Sequence, residues 1–265
     1  MPTSSPERSN GAGGRSLDPA TRRSARIAGV WWLITFATSI PALVLYDPLL
    51  NDHNYILTSG AETRIQIGAF LEVGLVISGI ATAVVMYPVL KRQSQSMALG
   101  YVGSRTVEAG MIAVGIVSVL AVLTLRDDLA GATGADAATL GTVGRSLVAV
   151  HDATFLLGPA FCSAIGNGIL LGYLMYRSGL VPRRMAMIGL VGGPLALVTA
   201  TAVLFGAWEQ TSAAGFFTLP EAVWELSLGI YLIVKGYKVS APLLSERRRT
   251  ETEKDDAFSP LVAAP

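Results

Sequence analysis

Ile27-Ala28-Gly29-Val30-Trp31-Trp32-Leu33-Ile34-Thr35-Phe36-Ala37-Thr38-Ser39-Ile40-Pro41-Ala42-Leu43-Val44-Leu45-Tyr46 is a run of 20 residues without a charge. At about 1.5 Å of rise per residue, a helix of this length crosses a hydrocarbon core of about 30 Å. A secretory signal has a shorter apolar region, so Arg22, Arg23 and Arg26 flank a span rather than open a twin-arginine export signal. Five more apolar segments follow, at about 65–90, 97–125, 147–176, 185–207 and 219–237. Their apolar runs are continuous and lack two-residue alternation, which selects helices over barrel strands. The expected fold class is all-α: a polytopic membrane bundle of six transmembrane helices.

Composition agrees. Of 265 residues 51% are hydrophobic and 15% charged, against about 25% charged in a soluble domain; mean hydropathy is +0.51. The net charge of +1 gives no field that would attract nucleic acid. Cys162 is the single cysteine and His53 and His151 are the only histidines, so four-cysteine clusters and three-histidine zinc sites cannot form within one chain. Arginine outnumbers lysine sixteen to four, a bias typical of GC-rich bacterial genomes.

Basic residues set the expected orientation. The N-terminal tail, the 91–96 and 177–184 connections and the C-terminal end carry sixteen Lys and Arg, whereas the other three connections carry only Arg64, Arg126 and Arg145. An even number of spans then puts both termini in the cytoplasm and the chain in the plasma membrane. Residues 1–26 and 238–265 read as disordered cytoplasmic tails around a six-helix domain at 27–237. Gly179 and Pro182 mark a helix stop, and Thr218-Leu219-Pro220-Glu221 marks a helix start. Trp31, Trp32, Tyr46, Tyr87, Tyr176, Trp208 and Tyr237 lie near span ends, as an interfacial aromatic belt would.

A charge at the centre of a lone spanning helix costs about 2.5–3.5 kcal/mol, so intramembrane charges face the bundle interior and mark sites. The candidates for binding a ligand or proton are Glu72, His151, Asp152, Asn167 and Glu225; Glu72, His151, Asp152 and Glu225 are expected at similar outer depth. Arg105 and Glu108, three apart, are expected to pair in the inner half. Glu221, in a first helical turn, reads as a partner of the helix dipole. At 3.6 residues per turn Asp152, Pro159, Ser163, Gly166 and Asn167 share a small, polar face of helix four, and Pro159 should free the Phe155 carbonyl and kink the helix. The small-xxx-small spacings at Gly168–Gly172 and Gly189–Gly193 indicate close helix packing and are a weak pointer to a homodimer.

Phosphate-binding glycine loops, nucleophile elbows and zinc-protease motifs are missing, and no cofactor or metal is implied. Three stretches stand out: Ala25-Arg26-Ile27-Ala28-Gly29, Gly172-Tyr173-Leu174-Met175-Tyr176-Arg177-Ser178-Gly179-Leu180-Val181-Pro182-Arg183, and Glu225-Leu226-Ser227-Leu228-Gly229-Ile230-Tyr231-Leu232-Ile233-Val234-Lys235-Gly236. Together they resemble a family of bacterial and archaeal six-span membrane proteins known as a domain of unknown function, over about residues 25–240. The resemblance implies the six-helix fold and membrane location and singles out Arg177, Lys235 and Glu225, but it brings no activity.

Three functions compete. The first is binding or movement of a small solute or proton through an outward polar cavity lined by acids of helices two, four and six, in a dimer. An inverted three-plus-three repeat would make Glu108 and Glu225 equivalent, although the halves share no clear sequence similarity. The second is a metal-assisted hydrolase acting on lipid, using His53, His151, Asp152 and a further acid. The third is a structural or regulatory membrane partner, with Arg247-Arg248-Arg249 as its cytoplasmic handle.

Overall fold

The structure, a computed structural model, describes residues 18–244 apart from 53, 59, 129, 130, 132, 210–212 and 242. Six helices are long and apolar enough to cross a membrane: α1 Pro19–Asn51, α2 Glu62–Leu90, α3 Gln95–Asp128, α4 Gly134–Ser178, α5 Arg183–Leu204 and α6, whose span opens in a 3-10 turn at Gly215 and runs on as Leu219–Val234. No strand occurs among the described residues. Neighbours in sequence pack on each other, and α6 returns to α1, so the bundle closes as a ring.

The surface of this ring is inverted relative to a soluble protein. Phe70 is 76% exposed and Phe205 81%, whereas Glu72 is 1% exposed and Arg105 4%. Lipid tails solvate the outer apolar side chains, while the polar ones must find partners inside. With lipid as solvent, helices gain little by hiding Leu from it, so close packing of small residues and internal hydrogen bonds hold the bundle. At the α1–α6 crossing a Cβ on Gly29 would lie 2.7 Å from the Gly229 carbonyl. Both glycines belong to the stretches that carry the family resemblance.

Helix ends differ from the apolar windows. Pro19 opens α1 with Asp18 capping the Thr21 N–H, so residues 19–26 are helix, not the tail expected there; residues 1–17 lie outside the described part. At the other end Ala241 and Leu244 belong to the same buried apolar cluster as Leu180, Val181 and Tyr237, so ordered packing continues past Lys238, which donates its N–H to the Leu180 carbonyl. Gly179 takes the left-handed conformation (φ 66°) that ends α4, as its position in the sequence indicates. Trp32, Tyr46 and Tyr237 are fully buried and belong to the core rather than an interfacial belt. Tyr46 lies against Gly68 and Trp32 against Gly229, where the missing side chain leaves room, and the sequence window shows depth but not helix face.

Pro159 does more than kink α4. The helix widens to π geometry at Leu156–Cys162 and again at Ala164–Leu171. Proline lacks the N–H that would bond the Phe155 carbonyl, and its ring crowds that turn; widening relieves both. Such segments are rare overall but frequent at functional sites. Backbone carbonyls in the stretch find side-chain donors on other helices: Ser104 Oγ donates to the Cys162 carbonyl over 2.6 Å, and Trp224 Nε1 donates to the Asn167 carbonyl over 3.0 Å.

The connection at the α1–α2 end is fastened by Arg126, which the sequence reading counted only as a loop charge. Its guanidinium bonds the Gly60 carbonyl and Glu62 Oε1 and lies 4.7 Å from the centre of the Tyr55 ring. Burial raises the Tyr55 phenol above its ordinary range, and the Arg126 charge works against that rise.

Candidate functional site

The widened part of α4 faces α6 and assembles a polar cluster there. Asn167 Nδ2 donates to Glu225 Oε1 over 2.6 Å and to Ser163 Oγ over 3.1 Å. Ser163 Oγ lies 3.0 Å from Glu225 Oε1 and 3.3 Å from Glu221 Oε1. Asn167 is fully buried and Glu221 5% exposed. Glu221 is therefore part of the cluster and not the surface dipole partner expected of it. The i, i+4 spacing puts both acids on the face of α6 turned to α4.

Glycines make this approach feasible. A Cβ on Gly193 would lie 2.8 Å from the Ala164 carbonyl, and one on Gly168 would run into the Gly193 Cα. On Gly192 a Cβ would stand 2.6 Å from the Glu221 nitrogen, and on Gly189 it would strike the Trp224 ring. Both small-xxx-small motifs are thus occupied within the chain.

Arg105 and Glu108 form the expected pair, 2.7 Å apart and buried. Arg105 Nε also donates to the Gly79 carbonyl, and its guanidinium lies 5.4 Å from the Trp32 ring centre. Glu225 is within electrostatic reach of Arg105 and of Glu108. The interior thus sets two carboxyls, Glu108 and Glu225, about one guanidinium, with Glu221 beside Glu225. One serine hydroxyl has a single proton to donate, so Glu221 and Glu225 cannot both be served by Ser163 at once. Two carboxylates that share one donor repel each other unless a proton or a cation stands between them.

A cavity of about 270 Å³ opens onto these acids. Ser163, Glu221 and Glu225 line it, with Pro159, Ala160 and Ala196 as apolar wall and Glu209 and Thr218 on the α5–α6 connection. Every charged residue of the lining is acidic. The walls come from α4, α5 and α6; α2 contributes nothing, contrary to the expected site.

Glu72 lies elsewhere. Its Oε2 accepts from the Tyr46 hydroxyl over 2.9 Å, and it is within electrostatic reach of His151. Asp152 is exposed and lines a second cavity of about 260 Å³ with Asp52 and Arg145. It does not share a face with Asn167: the intervening wide turns rotate less than about 100° per residue, so a projection at 3.6 residues per turn fails across them. Arg177 and Lys235 are exposed at the opposite end of the bundle and join neither cluster. His53 and Arg247–Arg249 lie outside the described residues, and no three metal-ligating side chains come together among the described ones.

Sequence reasoning missed Tyr46 and Trp224 as site neighbours and undervalued Glu221. The one available signal was the i, i+4 spacing of Glu221 and Glu225. No curated protein and no solved structure matches the chain. Residues 27–236 match the model of a domain of unknown function, DUF4386, and the chain, an integral multi-pass membrane protein, belongs to that family.

Proposed function

We propose that this membrane protein binds a small, positively charged solute, in chemical class a protonated amine, at Glu221 and Glu225, from the side of the α5–α6 connection. The observation that carries the reading is the cavity whose charged lining is wholly acidic and whose inner wall is the Ser163–Asn167–Glu225 cluster. A volume of about 270 Å³ exceeds a bare ion, and pockets of roughly 300 Å³ and above hold small organic molecules. An ammonium group would replace the missing proton between the two carboxylates, while its carbon body meets Pro159, Ala160 and Ala196. The basic-residue bias favours a plasma membrane of a bacterium with both termini inside, so the cavity would open outward.

The test uses the full chain in lipid nanodiscs, titrated with butylamine, butanol and butyrate by calorimetry. Butylamine binds, and the neutral and anionic analogues do not. Glu225→Gln weakens butylamine by about tenfold or more, the loss of about 1.4 kcal/mol. Equal binding of butanol, or unchanged affinity in Glu225→Gln, overturns the reading. The hydrolase and regulatory readings gain no comparable observation.

A further inference from the structure

His151 is 2% exposed, and neither ring nitrogen has a hydrogen-bond partner. An imidazole has a donor or acceptor at each nitrogen, and burying both unmet is costly. Neighbours of the ring come from four helices. From α1, Tyr46 meets the ring edge-on at 5.6 Å. From α2, Glu72 interacts with its charge and is itself 1% exposed. From α3, Gly115 lies against it, where a Cβ would stand 3.4 Å from His151 Cδ2. On α4, Phe155 lies 4.9 Å away and Asp152 Oδ1 is 3.6 Å from Nδ1.

Asp152 is the link to water. Its side chain is half exposed and lines the cavity of about 260 Å³ between α1 and α4, beside Asp52 and Arg145. The order of groups from that cavity inward is Asp152, His151, then Glu72 with the Tyr46 hydroxyl on it. Imidazole is the side chain suited to pass protons because it accepts at one nitrogen and donates from the other. A gap of 3.6 Å is just beyond a direct hydrogen bond, and a small rotation of the half-exposed Asp152 side chain closes it.

We infer that Tyr46, Glu72 and His151 form a second, buried proton-binding site, loaded from the α1–α4 cavity through Asp152. The proton arrives from water on the Asp152 carboxylate, passes to His151, and leaves it for the Glu72 carboxylate, restoring neutral imidazole. No covalent bond other than those to the proton changes. The site shares no residue with the Glu221–Glu225 cavity, so it stands or falls independently of the amine reading.

With only two histidines in the chain, the test is direct. Histidine labelled with nitrogen-15 is placed in the full-length His53→Gln protein in lipid bilayers, leaving His151 as the single signal. Solid-state NMR across pH 4–9, roughly the range where imidazoles titrate, reads its protonation state and its exchange with water. The expected result is a transition between neutral and protonated ring, with both nitrogens exchanging with water. Asp152→Asn slows that exchange by about tenfold while the ring still titrates, because one proton carrier on the path is gone. Glu72→Gln removes the carboxylate that takes the proton from the ring and slows the exchange by a similar factor. A ring that stays in one neutral tautomer without water exchange overturns the inference, as does an exchange rate unmoved by Glu72→Gln. The His53→Gln spectrum needs no change at the site, so misfolding of a site variant cannot hide the answer.

Discussion

Asn167 and Glu225 hold each other across the α4–α6 boundary, with the amide nitrogen 2.6 Å from the carboxylate. The contact depends on the widened turns of α4 and on the glycines that let α5 sit beneath them. The same residue offers its backbone carbonyl to Trp224, one position before Glu225. Residue 167 therefore anchors α6 twice, once by side chain and once by backbone.

Removing the amide should loosen that anchor. Asn167→Ala leaves Glu225 with Ser163 as its remaining direct donor. Hydrogen bonds to charged groups contribute about 1.5–3 kcal/mol, and a loss of this order is expected in the thermal midpoint of the detergent-solubilised protein. A variant as stable as the parent would show that the bond adds nothing to the bundle.

The Arg105–Glu108 pair invites a double-mutant cycle. Arg105→Met strands a buried carboxylate and should destabilise by about 3–5 kcal/mol, whereas Arg105→Met with Glu108→Leu should recover most of the loss. Melting curves of the four proteins decide it. Additive losses would mean that the two side chains act separately.

The glycine contacts predict an abrupt steric response. Gly193→Leu drives a side chain into the Ala164 carbonyl and Gly168, backbone atoms that cannot swing aside. Overpacking costs typically 1–3 kcal/mol and occasionally more, so about that loss is expected at Gly193 and much less at Gly110, where an added Cβ meets nothing. Comparing melting of Gly193→Leu and Gly110→Leu separates backbone contact from a general intolerance of bulk.

How far the sequence reveals this arrangement depends on whether a property is local. Span number follows from apolar length, and the Arg105–Glu108 pair follows from a three-residue spacing on a regular helix. Gly179 announces its own turn. Asp152 and Asn167 part company because the assumption of 3.6 residues per turn breaks between them, and a proline signals a disturbance without giving its size. Tyr46 with Glu72, and Trp224 with Asn167, are pairs between helices. No periodicity within one segment specifies which faces of two segments meet.

Orientation is open to a direct measurement. Sixteen basic residues at one end against three at the other predict both termini inside. Green fluorescent protein fused after Lys238 should fluoresce, and alkaline phosphatase fused there should be inactive. The reverse pattern would invert the bundle and place the acid-lined cavity on the cytoplasmic side.

Pro159 offers the sharpest test of how local backbone geometry builds the cluster. Restoring an N–H at this position in Pro159→Ala lets the chain bond the Phe155 carbonyl in an ordinary α-turn. Every residue beyond it then rotates about the axis, taking Ser163 and Asn167 away from Glu225 and the Asn167 carbonyl away from the Trp224 indole. Two readouts should move together: butylamine affinity falls, and the Trp224 indole N–H exchanges faster with deuterium. Overall stability need not fall, since a regular helix regains a backbone bond. If affinity and indole exchange both stay at parent values, the wide turns are imposed by packing against α3 and α5, and Pro159 merely tolerates them.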